Sequence, residues 1–171
     1  MKISHYNGSI IYESDASTVR ECVLAAVADG SNLRGSNLSG CNLSGSDLRG
    51  SNLSGCNLRG SNLSGSNLRG CNLSGSYLSG SNLSGCNLNW QSHDLLSEIL
   101  LSEAGDDVAR RREAGLILVS RDWCWSQFMS VDNPLRDWCL DVFAQYVREG
   151  DGAPACIRNR VAALANREKL C

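Results

Sequence analysis

From Ser31 to Trp90 leucine returns at every fifth residue, and the residues between are small or polar. The unit reads small–Asn–Leu–X–Gly, with X Ser or Arg in all but the last, and twelve units follow without a break, with Asp47 and Tyr77 in the Asn position and Trp90 in the last Gly position. Its leucines are Leu33, Leu38, Leu43, Leu48, Leu53, Leu58, Leu63, Leu68, Leu73, Leu78, Leu83 and Leu88. An α-helix cannot use this pattern, because five steps of about 100° scatter the leucines around the axis. A Gly in every unit would also cost a helix about 1 kcal/mol each relative to Ala. A flat strand fails because an odd period sends successive leucines to opposite faces. A flexible Gly/Ser linker has no need of a leucine held at one phase. The pattern works if the chain turns a corner once per unit, with Gly at the corner. Leu and the small residue two positions earlier then point inward, and Asn, X and Gly point outward. Burying twelve leucines at about 1.5–3 kcal/mol each supplies on the order of 20–35 kcal/mol before entropy is subtracted. The ends of such a coil expose leucine and need covers.

The flanks supply them. Lys2–Tyr6 and Ser9–Glu13 surround Asn7-Gly8, a two-residue hairpin signal. Val19, Cys22, Val23, Ala26 and Val27 then recur at helical spacing, ending at Gly30. Thr18 and Glu21 form a capping box for this helix, or Ser14 or Asp15 starts it earlier. Trp90 replaces the last corner Gly and closes the other end. After Trp90 the spacing turns helical, and five helices are predicted. The first spans Ser92–Glu103, the second Asp106–Ser120, and a short third Asp122–Met129. The fourth starts at Asn133-Pro134 with Asn as cap, and carries Leu135, Trp138, Cys139, Val142, Phe143 and Tyr146. The fifth starts near Pro154 with Ile157, Val161 and Leu164. The expected organisation is an N-terminal hairpin and capping helix over 1–30, a coil over 31–90 and a helical domain over 91–171.

The five-residue units resemble the A(D/N)LXX pattern of the pentapeptide-repeat proteins. That resemblance implies a right-handed quadrilateral β-helix with four units per coil, so twelve units make about three coils. At about 4.8 Å per coil the rod is roughly 15 Å long. The expected fold class is therefore mainly β plus α, a β-helix followed by helices. Here Ser, not Ala, dominates the small inward position, and a buried Ser hydroxyl must bond a backbone carbonyl or some other partner. Cys fills that position at Cys41, Cys56, Cys71 and Cys86, each fifteen residues from the next. On a three-sided coil these four would stack and invite a metal; on a four-sided coil each takes a different side and serves as a small core filler. The hairpin and helix resemble the N-terminal cap of the same family. Trp90–Leu95 and the run from Ala114 to Trp125 are similar to phage-type relatives, which implies a phage or bacterial source.

Charge then narrows the function. The best-understood members of the family mimic duplex DNA with an acidic surface and engage type II topoisomerases. Here the repeat tract carries Arg34, Arg49, Arg59 and Arg69 against the single Asp47, a net of +3. It lacks the acidic surface that mimicry needs. It is no strong phosphate binder either, because a four-sided coil puts Arg49 and Arg69 on one side and Arg34 and Arg59 on two others. The segment from Ser92 onward carries ten basic and thirteen acidic residues, a net of −3. Arg110-Arg111-Arg112 reads as a solvated helix face.

Candidate chemistry is sparse. Nine cysteines with only His5 and His93, and no CxxC pair, fit reduced thiols in a cytoplasm. Met1–Gly8 lacks the apolar run of a secretory signal, and no stretch is long enough to span a membrane. No catalytic residue, metal site or cofactor is assigned. His93 reads as a solvated or cap-packing residue, and Asp106-Asp107 as favouring a helix N-terminus. Arg121-Asp122-Trp123-Cys124 recurs as Arg136-Asp137-Trp138-Cys139, each with Phe four residues after the Cys. The pair is either an aromatic docking site or two helices facing one core. Trp125 falls outside the shared pattern and is the expected exposed aromatic. Tyr77 replaces an outward Asn and marks contact with the helical half or with a partner. The candidate interaction surface is Arg49, Arg69, Tyr77 and Trp125. The leading expectation is a non-enzymatic protein–protein interaction protein, with no membrane and no nucleic acid. A modulator of a DNA-acting enzyme and a self-assembling structural element or homodimer are the alternatives.

Overall fold

A computed structural model describes residues 1–119, 124–130 and 132–168. Strands β1 (Lys2–Ser4) and β2 (Ile10–Glu13) form an antiparallel hairpin with an irregular register between Ile3 and Ser4. Its turn corrects the two-residue expectation. Gly8 N donates to His5 O at 2.9 Å and His5 N donates to Ser9 O at 2.8 Å, so the loop holds Tyr6, Asn7 and Gly8. Only Gly8 takes a positive φ (86°), whereas a two-residue type I′ turn needs one at both central residues.

Helix α1 (Val19–Ala28) starts with the expected capping box between Thr18 and Glu21. It ends with Ser31 N donating to Ala26 O at 2.8 Å and Gly30 N to Val27 O at 3.1 Å, with Gly30 at φ 68°. This double bond is a Schellman ending. Tyr12 Oη donates to Asp29 Oδ2 at 2.5 Å and ties the hairpin to the helix end.

Between α1 and Trp90 the repeat builds one corner per unit. The amide of each small residue donates to the carbonyl of the Leu three before it, as Ser36 N does to Leu33 O at 3.1 Å. The intervening Gly has φ near +65°, as at Gly60 (64°), while among the described residues no other residue type has positive φ. Positive φ confined to the third turn position is the type II turn, which explains why Gly recurs there. Successive coils are joined by parallel bridges 20 residues apart, Asn37↔Asn57↔Tyr77 on one side and Asn42↔Asn62↔Asn82 on the next. Twenty residues are four units, so the coil has four sides. Turns consume most of each unit, which leaves single bridges where longer strands would form.

All twelve leucines are buried, with exposures of 0–5%. Ser36 and Ser51 donate their hydroxyls to the Leu carbonyl three residues before, at 2.5 and 2.7 Å, whereas later positions reach carbonyls one coil back: Ser66 Oγ donates to Leu43 O at 2.7 Å, and Cys86 Sγ to Leu63 O at 2.8 Å. Ser61 Oγ has no hydrogen-bond partner among the described residues. Cys41, expected in the core, is only half-buried, since its side of the first coil has no coil beneath it.

Helices α2 (His93–Ala104), α3 (Val108–Val119), α4 (Trp125–Ser130), α5 (Arg136–Ala144) and α6 (Ala155–Glu168) follow. Ser92 caps α2 through Leu95 N at 3.3 Å, and Asp107 Oδ1 accepts from Arg110 N at 3.0 Å at the start of α3. The fourth predicted helix begins later than expected. Asn133 O accepts from Arg136 N at 3.1 Å and Asn133 Oδ1 from Leu135 N at 2.8 Å, so Asn133-Pro134 makes a turn before α5 rather than its cap. The expected helix positions Ser120 and Asp122 lie outside the described residues, as do Arg121 and Trp123 of the Trp/Cys repeat. Among the described residues no helix is long and apolar enough to cross a membrane.

Candidate functional site

The seam between the last coil and the helices is built on aromatic packing. Trp90 is 5% exposed and meets Phe143 edge-on at 6.4 Å between ring centroids and Trp125 at 6.5 Å. Trp125 in turn lies 5.8 Å from both Phe128 and Phe143, and its Nε1 donates to Trp90 O at 3.1 Å. Edge-to-face pairs at these distances are favourable beyond their buried area. Trp125 is therefore half-buried and bonded within the chain, which corrects its placement as an exposed contact residue. The indole N–H had a carbonyl within reach because α4 crosses directly beside Trp90.

Of the repeated Trp/Cys/Phe sets, Phe128 and Phe143 converge on this cluster. Cys139 is buried while Cys124 is exposed, so the two faces are not equivalent. Burial pushes the Cys139 thiol up to about 12 and that of Cys86 to about 11. The Ser126 hydroxyl, 2.8 Å from Cys124 Sγ, holds the Cys124 thiol below its usual value.

Near Trp90, burial pushes the Asp151 carboxyl up. The amides of Arg148 (2.7 Å) and Ala153 (2.8 Å), the nearby Trp90 indole and Arg158 (2.8 Å) outweigh it, and the net shift is downward. The Trp90 indole N–H acts here by proximity, outside hydrogen-bond geometry.

On the β-helix sides the outward residues follow one pattern. The Asn side chain accepts from the amide two residues on, as Asn62 Oδ1 does from Ser64 N at 3.0 Å, and often from its hydroxyl as well. Arg49 and Arg69 do share one side, on the ladder Asp47↔Asn67↔Asn87. Arg49 is paired with Asp47 at 2.6 Å in an exposed bridge that solvent screening keeps weak. Tyr77 lies on a different side and is 52% exposed, with the Arg59 guanidinium 4.6 Å above its ring. The four candidate residues thus do not form one surface.

Tyr77 and Arg59 instead line a cleft of about 350 Å³ between the coil and α2, together with Leu78, Asp94, Glu98 and Leu101. Glu98 Oε1 accepts from Gly80 N at 3.0 Å, and burial raises the Glu98 carboxyl above the usual range. The sequence did not single out Glu98, and it placed Arg59 only in the charge count of the repeat tract. The stacking of Arg59 on Tyr77 is legible only once the 20-residue coil places one above the other. Arg110, expected to be solvated, lies 5.2 Å from the Trp138 ring. Among the described residues no group of three or more His, Cys, Asp or Glu side chains is placed to hold a metal ion.

A family model described as pentapeptide repeats matches residues 25–55 and 51–89, with eight copies. Two solved structures are similar to parts of the chain. One, a pentapeptide repeat protein of the cyanobacterium Cyanothece 51142, is 40% identical over 29% of this chain and 31% of its own, with a TM-score of 0.21. The other, a pentapeptide repeat protein of Nostoc PCC 7120, is 27% identical over 43% of this chain and 84% of its own, with a TM-score of 0.23. The chain spans under a third of the length of the first. No curated protein matches it.

Proposed function

Given that the chain carries a pentapeptide-repeat domain over residues 25–89, we propose that it is a non-enzymatic cytoplasmic interaction protein. In this reading a right-handed rod of about three coils over 31–90 holds a helical domain over 91–171 against a protein partner. Residues 1–30 close the other end. The observation that carries the reading is the Tyr77–Arg59 stack. It places an exposed aromatic ring and a cation at the mouth of the cleft beside α2, on a side of the coil whose other outward residues are Asn, Ser and Gly. Aromatic and Arg side chains in such settings are the usual anchors of protein interfaces.

Affinity capture from a bacterial lysate tests this directly. The wild-type chain should retain a protein that Tyr77→Ala and Arg59→Ala variants lose. Equal capture by all three would move the partner surface elsewhere. Modulation of a DNA topoisomerase through DNA mimicry is disfavoured, since Asp47, the one carboxylate on the repeat sides, is already paired with Arg49. Inhibition of supercoiling by micromolar protein would restore that alternative.

A further inference from the structure

Inside the coil the backbone obeys one rule. The amide of a corner Gly donates to the carbonyl nineteen residues on, as Gly40 N does to Arg59 O at 2.9 Å and Gly60 N to Ser79 O at 3.0 Å. The carbonyl of a small residue accepts from the amide twenty-one residues on, as Ser36 O does from Asn57 N at 2.9 Å. The last turn of the coil, residues 71–90, has no coil above it. Its amides and carbonyls are the open edge of a sheet, a template for pairing with another backbone.

Two side chains stand where that next backbone would be. Glu98, on α2, places Oε1 3.0 Å from Gly80 N, the position that a carbonyl nineteen residues on would fill. Asn89 donates from Nδ2 to Cys71 O at 2.6 Å, in place of an amide twenty-one residues on. Asn89 is also where the repeat breaks, because every other unit has Ser or Arg there. The opposite end is closed differently: β1 supplies real backbone, with Asn37 N donating to Ser4 O at 2.8 Å and His5 bridging Ser36. The same side of the coil is thus closed by backbone below and by a carboxylate above.

We propose that Glu98 and Asn89 are mimics of a missing coil, side chains that complete the hydrogen bonding of the terminal turn and keep it from pairing with a second copy of this chain. The edge they guard is only partly filled. Leu73 N, Leu78 N and Ser76 O have no hydrogen-bond partner among the described residues. They lie along clefts of about 430 and 350 Å³ flanking α2. A strand residue bridging Ser76 O and Leu78 N, as Asn57 bridges Ser36 O and Leu38 N, would continue toward Gly80 and meet the Glu98 carboxylate. Two copies meeting at this end would do so about a two-fold axis, which self-complementary edges permit.

The test uses the full chain with Glu98→Ala, Glu98→Gln and the double variant Glu98→Ala/Asn89→Ala. Amide hydrogen exchange at Gly80 should quicken by about tenfold or more in Glu98→Ala, the loss expected for one hydrogen bond to a charged acceptor. Glu98→Gln keeps an acceptor oxygen and should retain most of the protection. Light scattering should show a concentration-dependent rise in mass for the double variant relative to wild type, at unchanged circular dichroism. Unchanged Gly80 exchange in Glu98→Ala overturns the mimicry. Faster exchange with a mass equal to wild type at all concentrations overturns the guarding role. Should the double variant fail to fold, the same two readings on Glu98→Ala alone decide.

Discussion

Gly35→Ala and Gly60→Ala change the same position of the five-residue repeat in two different units, yet they should differ in cost. Both glycines have positive φ, 71° and 64°, so each Ala adopts a left-handed conformation costing about 1–2 kcal/mol. Relief of unfolded-state entropy returns about 0.4–1 kcal/mol in both cases. At Gly60 an added Cβ meets nothing within 4 Å, so the net loss should be about 1 kcal/mol. At Gly35 it would sit 2.4 Å from His5 Nε2 and 2.6 Å from Cδ2, far inside contact distance. Overpacking of this kind costs about 1–3 kcal/mol. The imidazole can escape only by leaving its place against Tyr6, where the ring centroids are 3.9 Å apart. Gly35→Ala should therefore lose about 2–4 kcal/mol, and its excess should vanish in a His5→Ala background. Urea unfolding followed by far-UV circular dichroism measures all four terms of this cycle. Equal losses for the two glycine variants, within about 0.5 kcal/mol, or a Gly35→Ala cost unchanged by His5→Ala, would refute the reasoning.

Three further outcomes follow from the same structure. Leu58→Ala, fully buried in the middle coil, should lose about 2.7–5 kcal/mol in the same urea assay, and a loss below about 1 kcal/mol would deny the ladder its role as the core. The Asp151 carboxyl is held below its unfolded value, so its stabilisation is present above the usual carboxylate pKa of about 3.9 and is lost as pH falls through the lower folded value. Melting temperature should accordingly fall more steeply in acid for wild type than for Asp151→Asn, and parallel curves would count against this. Alkylation of the folded protein followed by mass spectrometry should modify exposed Cys124 well before Cys86 and Cys139, and early labelling of either buried thiol would contradict their burial.

The coil was readable because its two requirements, an inward Leu and a corner Gly, are each stated twelve or nearly twelve times in the sequence. The choice of four sides came from family resemblance, and the 20-residue bridges now carry it physically. Local signals stopped short wherever two geometries share one residue pair. Asn7-Gly8 suits a two-residue or a three-residue loop, and only the φ of Asn7 separates them. Asn133 can cap a helix directly or hold a turn ahead of it, and Pro134 took the second option. Trp125 looked free because it fell outside the repeated motif, but its environment is set by Trp90 from another element. Glu98 was illegible for the same reason, since its partner is a backbone amide that lacks a mate only because the coil ends there. Asn89 did leave a trace, as the departure from Ser or Arg in the last unit.

The 20-residue register ties the length of the rod to its orientation. Each five-residue unit occupies one side, so deleting or inserting a single unit moves every later residue to the neighbouring side. The helices after Trp90 would then face about a quarter turn away from their present direction relative to the hairpin. Adding four units would lengthen the rod by about 4.8 Å and leave that direction unchanged. The number of repeats is thus an angular setting as much as a distance, and only steps of four are silent in angle.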